Sequence, residues 1–254
     1  MSPQERPMYR IPKIFQNQPG LIAAESTRHG GVSTTPYKSL NLGGQGADTT
    51  ENIIENNLRF FGALEVPFKQ VAKTHQVHGN LVLSVNEPGR YEGYDALITN
   101  CPEIQLAVTI ADCTPILLYD PASRSVAAIH AGWRGTVGNI ALHTIENMKQ
   151  LFGTQPDTCL AYIGTCIDFD SFEVGPEVAQ HFDSAFQKPA DMEGKFLVDL
   201  KEANRAQLMQ AGLHSSHIEI SPYSTAKHLF DYFSYRFEKG QTGRMLATIG
   251  MRTL

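Results

Sequence analysis

The stretch Ile116-Leu117-Leu118-Tyr119, Asp120-Pro121-Ala122-Ser123, Ser125-Val126-Ala127-Ala128-Ile129-His130, Ala131-Gly132-Trp133-Arg134-Gly135 decides the fold. Two apolar β-type runs separated by a short turn-rich segment read as a hairpin, because so short a connection joins only antiparallel neighbours. A helix-periodic segment, Thr136 to Phe152, follows directly. Its Val137, Ile140, Ala141, Ile145, Met148, Leu151 and Phe152 fall on one face, and Gly153 supplies the stop. A hairpin followed by a one-sided helix implies a sheet with a helix packed outside it.

Working outward, further β-type runs occur at Leu21 to Glu25, Gln70 to Val77, Leu81 to Val85, Gln105 to Ile110, Cys159 to Ile163, His217 to Ile220 and Leu246 to Ile249. Asp48-x-x-Glu51 and Asp199-x-x-Glu202 have the spacing that caps a helix start, with Gly62 and Gly212 as terminators. Pro176 suits a first helical turn ahead of Val178, Ala179 and Phe182. No internal repeat or linker divides the 254 residues, so the expectation is one domain spanning 1–254, of class α/β (α+β), with mixed or antiparallel sheet and helices outside. Polar, glycine-bearing loops at Thr27 to Gly46, Gly164 to Gly175 and Glu238 to Gly243 read as site-building loops.

Composition narrows the partners. With 26 acidic against 21 basic residues and no basic block to neutralise a row of phosphates, a nucleic-acid partner is not expected. No apolar run reaches the ~18 residues of a membrane span, and Met1 to Pro7 lacks a secretory pattern. A cytosolic protein with no membrane partner is therefore expected. Cys101, Cys113, Cys159 and Cys166 then read as reduced thiols or metal ligands, not a disulfide framework.

Three strand ends carry metal-competent side chains: Gln76-Val77-His78-Gly79, Ala111-Asp112-Cys113 and His130-Ala131-Gly132. Strand alternation separates His75 from His78, and His78, beside Gly79, is the better ligand. His78, Cys113 and His130 make a three-ligand set of the kind zinc favours when one position stays open for chemistry. Two other readings use the same residues: Cys113 as a nucleophile with His130 as its base, or Cys113 as a small buried hydrophobe among hydrogen-bonded histidines.

Thr27-Arg28-His29-Gly30-Gly31-Val32-Ser33, Ser39-Leu40-Asn41-Leu42-Gly43, QVHG at 76–79, Asp95-Ala96-Leu97-Ile98-Thr99, ADC at 111–113, HAGWRG at 130–135 and Phe233-Ser234-Tyr235-Arg236 together resemble a widespread bacterial family. Its members were first described as polyphenol oxidases or "laccase domain" proteins, and later as purine nucleoside phosphorylases. The resemblance covers nearly the whole chain. It implies α/β/β/α layers, zinc held by His78, Cys113 and His130, and phosphorolysis of adenosine, inosine, guanosine and methylthioadenosine with deamination of adenosine. Its small-molecule partners would be a purine nucleoside and phosphate. Copper-dependent phenol oxidation is the older label, and copper the alternative metal. Two departures stand out: Ile163-Gly164-Thr165-Cys166 replaces Ile-Gly-Pro, and a cysteine expected near Tyr223-Ser224-Thr225 is absent.

The implied chemistry assigns further roles. Deamination needs water activated at neutral pH, which zinc provides by lowering its pKa to ~7. Asp112 and Asp95 are the candidate proton shuttles, although Asp112 neighbours Cys113 and strand neighbours face opposite ways. Phosphorolysis needs an anion held against the ribose, and arginine's planar fork suits that task. Arg28, Arg134 and Arg236 are the candidates, with Asn41 in the same motif set as a binding residue. Arg134 is additionally expected just ahead of a helix start. Gly30-Gly31 and Gly43-Gly44 would let backbone approach a ligand or mark turns, and Trp133 would stack on a base or wall the pocket. A trinuclear copper cluster is disfavoured, because nine histidines occur without paired HxH phrases.

Overall fold

The computed structural model describes residues 6–43 and 48–253. Gly44 and Gly46, named above as loop glycines, lie outside the described residues, as do Met1 to Glu5. The strands are β1 (Tyr9–Arg10), β2 (Leu21–Ser26), β3 (Val71–His75), β4 (Val82–Ser84), β5 (Gly89–Glu92), β6 (Ala96–Thr99), β7 (Gln105–Ile110), β8 (Thr114–Asp120), β9 (Ser125–Ala131), β10 (Leu160–Ile163), β11 (Glu173–Val174), β12 (Gln187–Pro189), β13 (Phe196–Val198), β14 (Ile218–Ile220) and β15 (Met245–Met251). The α-helices are α1 (Thr50–Ala63), α2 (Trp133–Val137), α3 (Ile140–Phe152), α4 (Pro176–Ala179) and α5 (Leu200–Gln210).

Two six-stranded sheets form, in the orders β1-β2-β15-β7-β3-β5 and β14-β10-β8-β9-β6-β4. Both are mixed. β3 lies parallel to β7 and β5 in the first sheet, and β4 parallel to β6 in the second. The β8–β9 pair is the antiparallel hairpin expected from Asp120-Pro121-Ala122-Ser123, and Asp120 fastens its turn by accepting from Ala122 N and Ser123 Oγ.

Alternation along the central strands explains the layering. Leu106, Val108 and Ile110 of β7, Leu117 of β8, and Val126 and Ala128 of β9 share the core between the sheets. The intervening residues face outward and are also buried, because helices cover both outer faces. Ile116, Ala127 and Ile129 meet Ile140, Ala141, Ile145 and Met148 of α3. Ala24, Ala107 and Leu246 meet Phe60 and Phe61 of α1. Period-two strands buried on both sides make the near-continuous apolar runs legible in the sequence, and the layers are α/β/β/α. A small third sheet, β11-β13-β12, packs with α4 at one end. Among the described residues no helix is long and apolar enough to cross a membrane.

The helix expected over Thr136 to Phe152 is two helices. Asn139 takes a left-handed conformation (φ 58°), which breaks the backbone ladder, and Asn80 Nδ2 donates to the carbonyl of Gly138 at 2.8 Å. Arg134 consequently lies inside the first turn of α2, not ahead of a helix start. Gly153 closes α3 at φ 71°, as expected. Asp199 caps α5 by accepting from Glu202 N at 3.0 Å. For α1 the cap is Thr49, one residue later than expected, and Gly62 lies within the helix.

The segment 28–43 is tied to α1 by Asn56, which is fully buried. It accepts from Val32 N (2.8 Å) and donates to Ser33 Oγ, Ser39 O and Asn41 O. An alanine would leave those buried groups unpaired, each at ~1–3 kcal/mol. Asn56→Ala should lower stability by about 2–4 kcal/mol in urea unfolding, and a change below about 0.5 kcal/mol would show that the loop is held by other means.

Candidate active site

Three chain segments meet where strands run out. β3 ends at His75, and the chain turns through Gln76-Val77-His78-Gly79. Gln76 extends the ladder with its side chain, accepting from Thr109 N (2.7 Å) and Thr109 Oγ1 and donating to Thr109 O. His78 then sits at φ 60°, a conformation that costs energy for a non-glycine residue. The connection from β7 to β8 crosses from one sheet to the other through Ala111-Asp112-Cys113, with Asp112 at φ 87°. β9 delivers His130 at its end.

Asp95, fully buried just before β6, organises two of these segments. Its carboxylate accepts from Val77 N (3.1 Å), His78 N (3.0 Å), Gly79 N (2.7 Å) and the Nδ1 of His130 (2.8 Å). Burial alone would raise the Asp95 carboxyl, but these donors, led by His130, hold it below its ordinary pKa. With Nδ1 so engaged, His130 presents Nε2 to the site. This arrangement orients a ligating imidazole and raises its basicity.

One ligand atom from each of His78, Cys113 and His130 lies within 4.8 Å of the others. The two imidazoles stand edge to face, with centroids 4.9 Å apart. Burial would push the Cys113 thiol up, yet His130 and then His78 bring it down to about 6. The same partnership, with Asp95 behind it, raises His130. A thiolate between two imidazoles is the donor set of a zinc or copper site. The space for an ion is also kept clear: a Cβ on Gly132 would lie 3.2 Å from both Cys113 Sγ and His78 Cδ2.

The cluster opens on a cavity of about 1190 Å³ lined also by Asp112, Tyr235, Arg236 and Arg244. The sequence-predicted residues divide here. His78, Cys113, His130, Asp112 and Arg236 share its wall. Arg28 does not line it: its guanidinium donates to Lys38 O, Leu229 O and Glu238 Oε1. Arg134 is exposed and lies over the Trp133 ring at 4.3 Å, while Trp133 stacks on His181. Asn41 is buried and acts through a neighbour, accepting from Arg244 N at 2.9 Å and donating to Asp48. Asp112 is fully engaged: it accepts from Thr225 Oγ1, Ser234 Oγ and Arg236 N, so it positions the 225–236 segment.

Arg244 is the residue that the sequence reading missed. Its backbone is held by Asn41, and its guanidinium donates to Thr242 O and Gly243 O. The signal was present, since Thr242-Gly243-Arg244 is another loop running into a strand, and the expected site loop ended one residue short of it. The two departures from the family pattern are neighbours in space. Cys166 forms a β-bridge with Ser224, and Thr165 N donates to buried Glu25 at 2.8 Å, a bond proline could not make.

The sequence pattern of the family described as multi-copper polyphenol oxidoreductase laccase matches residues 22–252. The chain belongs to that family. Among family members, the purine nucleoside phosphorylase of Deinococcus radiodurans is 39% identical over 247 residues, covering 96% of this chain and 93% of its own. That of Bacteroides thetaiotaomicron is 37% identical, covering 88% and 89%. The crystal structure of YlmD from Geobacillus stearothermophilus matches with a TM-score of 0.92 at 32% identity, over 99% of this chain and 98% of that one.

Metal-free protein should be alkylated by iodoacetamide at Cys113 with a midpoint near pH 6, where the thiol is held, and one equivalent of zinc should protect it. A midpoint between pH 8 and 9, where an ordinary thiol titrates, would show that the imidazoles do not surround the sulfur. Gly132→Ala should lower metal occupancy while leaving the fold intact by circular dichroism.

Proposed function

We propose that the chain is a zinc-dependent purine nucleoside phosphorylase, acting as one catalytic domain on adenosine, inosine, guanosine and methylthioadenosine, with a deaminase activity on adenosine. The observation that carries this reading is the meeting in one cavity of the two-imidazole, one-thiolate set with Arg236 and Arg244. The names of the relatives support the reaction class. His78, Cys113 and His130 would hold the ion as a three-residue set, the number that catalytic rather than structural zinc sites use. Zinc held by His78, Cys113 and His130 would supply Lewis acidity in a partly enclosed site.

The chain's own residues do the positioning. Asp95 fixes both histidine-bearing segments. Arg236 and Arg244 are placed to hold phosphate, where a guanidinium fork binds two oxygens at once. Of the anion-binding residues read from sequence, Arg236 keeps that role, Arg244 joins it, and Arg28 and Arg134 act elsewhere. Asp112 and Asn41 hold the backbones of these two arginines.

A second reading has specific support. Cys113, His130 and Asp95 line up as nucleophile, base and orienting carboxylate, as a metal-free cysteine hydrolase would require. His78 separates the two, because only a metal gives it a necessary task. The decisive assay runs adenosine and inosine with and without phosphate, before and after chelation, on the wild type, His78→Ala and Cys113→Ala. Chelation should abolish phosphate-dependent cleavage, and both substitutions should be comparably severe. A folded His78→Ala with near-normal turnover, still inactivated by alkylation of Cys113, would favour the hydrolase. Copper at full occupancy with phenol oxidation would favour the oxidase. Arg244→Lys should raise the KM for phosphate roughly 10- to 150-fold, the loss of one charge-assisted bond; an unchanged KM would place phosphate elsewhere.

A further inference from the structure

The cavity extends past the His78, Cys113 and His130 side chains along the outer face of the first sheet, between β3, β5 and α1, to Ile53, Asn57, Phe68, Lys69, Lys73 and Arg90. At about 1190 Å³ it exceeds the ~300–1,000 Å³ typical of sites for single small ligands. Its far end is cationic. Lys69, Lys73 and Arg90 line that end; over the whole cavity, with Arg236 and Arg244 beside the His/Cys cluster, the only carboxylate among the described residues is Asp112, and it is already hydrogen-bonded on both oxygens.

Lys73 is the unusual group. It sits in the centre of β3, paired in register with Arg90 of β5, where an apolar residue would be expected beneath α1. Its Nζ donates to Asn57 Oδ1 and to Leu42 O (3.4 Å). It lies 5.6 Å from the Phe61 ring and 5.7 Å from the Phe68 ring, within cation–π range. An ammonium has three N–H donors, and the third has no partner among the described residues. No carboxylate there forms an ion pair with it, whereas Arg90 pairs with Glu92 on the surface.

We propose that the Lys73 end of the cavity is a subsite for a phosphate monoester, and that the ligand spanning the whole cavity is a purine nucleoside 5′-monophosphate. The inference rests on reading the cavity as a purine nucleoside site. The phosphoryl group would supply the counter-charge that Lys73 lacks and take its third donor, with Arg90 adjacent. Burial, with Arg90 as a like charge, pulls the free amine down to about 7, so a dianionic ligand would favour its charged form.

The test is calorimetric titration of the full chain with adenosine, adenosine 5′-monophosphate and inorganic phosphate, each alone. Wild type should bind the monophosphate about ten-fold or more tightly than adenosine, the effect of one charge-assisted contact. In Lys73→Met the ratio of the two dissociation constants should fall towards one, and in Lys73→Arg it should persist. Equal affinities in wild type overturn the proposal, as does a preference that survives Lys73→Met or is lost in Lys73→Arg. If the monophosphate gains nothing over adenosine while inorganic phosphate binding is lost in Lys73→Met, the subsite serves the free anion and the nucleotide assignment is wrong. Failure of wild type to bind either adenosine or its monophosphate would instead sink the nucleoside reading itself.

Discussion

The carboxylate of Asp95 receives four donors, three from consecutive backbone amides of the 77–79 turn and one from the ring of His130. A buried carboxylate with no partners costs several kcal/mol, so folding reaches its minimum only when all four converge. That requirement joins the turn after β3, in the first sheet, to the end of β9, in the second. Two of the three candidate ligands are therefore placed by one anion, before any metal is present. The backbone of Asp95 reinforces this, its carbonyl accepting from His130 N at 2.7 Å.

The third ligand is placed differently. Cys113 lies where the chain changes sheets, and the crossing is tight enough to need a positive φ at Asp112. That conformation is maintained by the 225–236 segment, whose hydroxyls and backbone satisfy the Asp112 carboxylate. The arginines follow the same logic at one remove: Asp112 holds the backbone of Arg236, and Asn41 that of Arg244. Asn41 is itself fixed through Asn56 and α1. The site is thus a set of strand ends and loop residues, each anchored by a buried polar side chain.

The parts legible in the sequence are those that local pattern dictates. The nine β-type runs each coincide with a strand, and the central ones, β7, β8, β9 and β15, are largely apolar along their length because both of their faces are buried. His78, Cys113 and His130 could be picked out as metal-competent side chains near strand ends, but the residues alone left a nucleophile and a buried-hydrophobe reading open, and the resemblance to the family selected the metal reading; the fold brings the three together. What pattern alone missed depends on tertiary partners. The break at Gly138-Asn139 is supported by Asn80, far away in sequence, and the 136–152 periodicity runs through it undisturbed. The short strands β1, β5 and β11 to β13 lack an apolar alternation of their own. Arg28 and Arg134 had the right chemistry, but only the fold shows that carbonyls and Glu238 occupy the first and that the second lies on Trp133.

The central claim is that His78, Cys113 and His130 bind one metal ion between them. X-ray absorption at the zinc and copper edges of the purified protein tests it most directly. The expected spectrum is a zinc edge with one sulfur at ~2.3 Å and two imidazole nitrogens at ~2.0–2.1 Å, and the sulfur shell should disappear in Cys113→Ala. A metal shell of oxygen and nitrogen alone, or a sulfur shell that persists in Cys113→Ala, would contradict it.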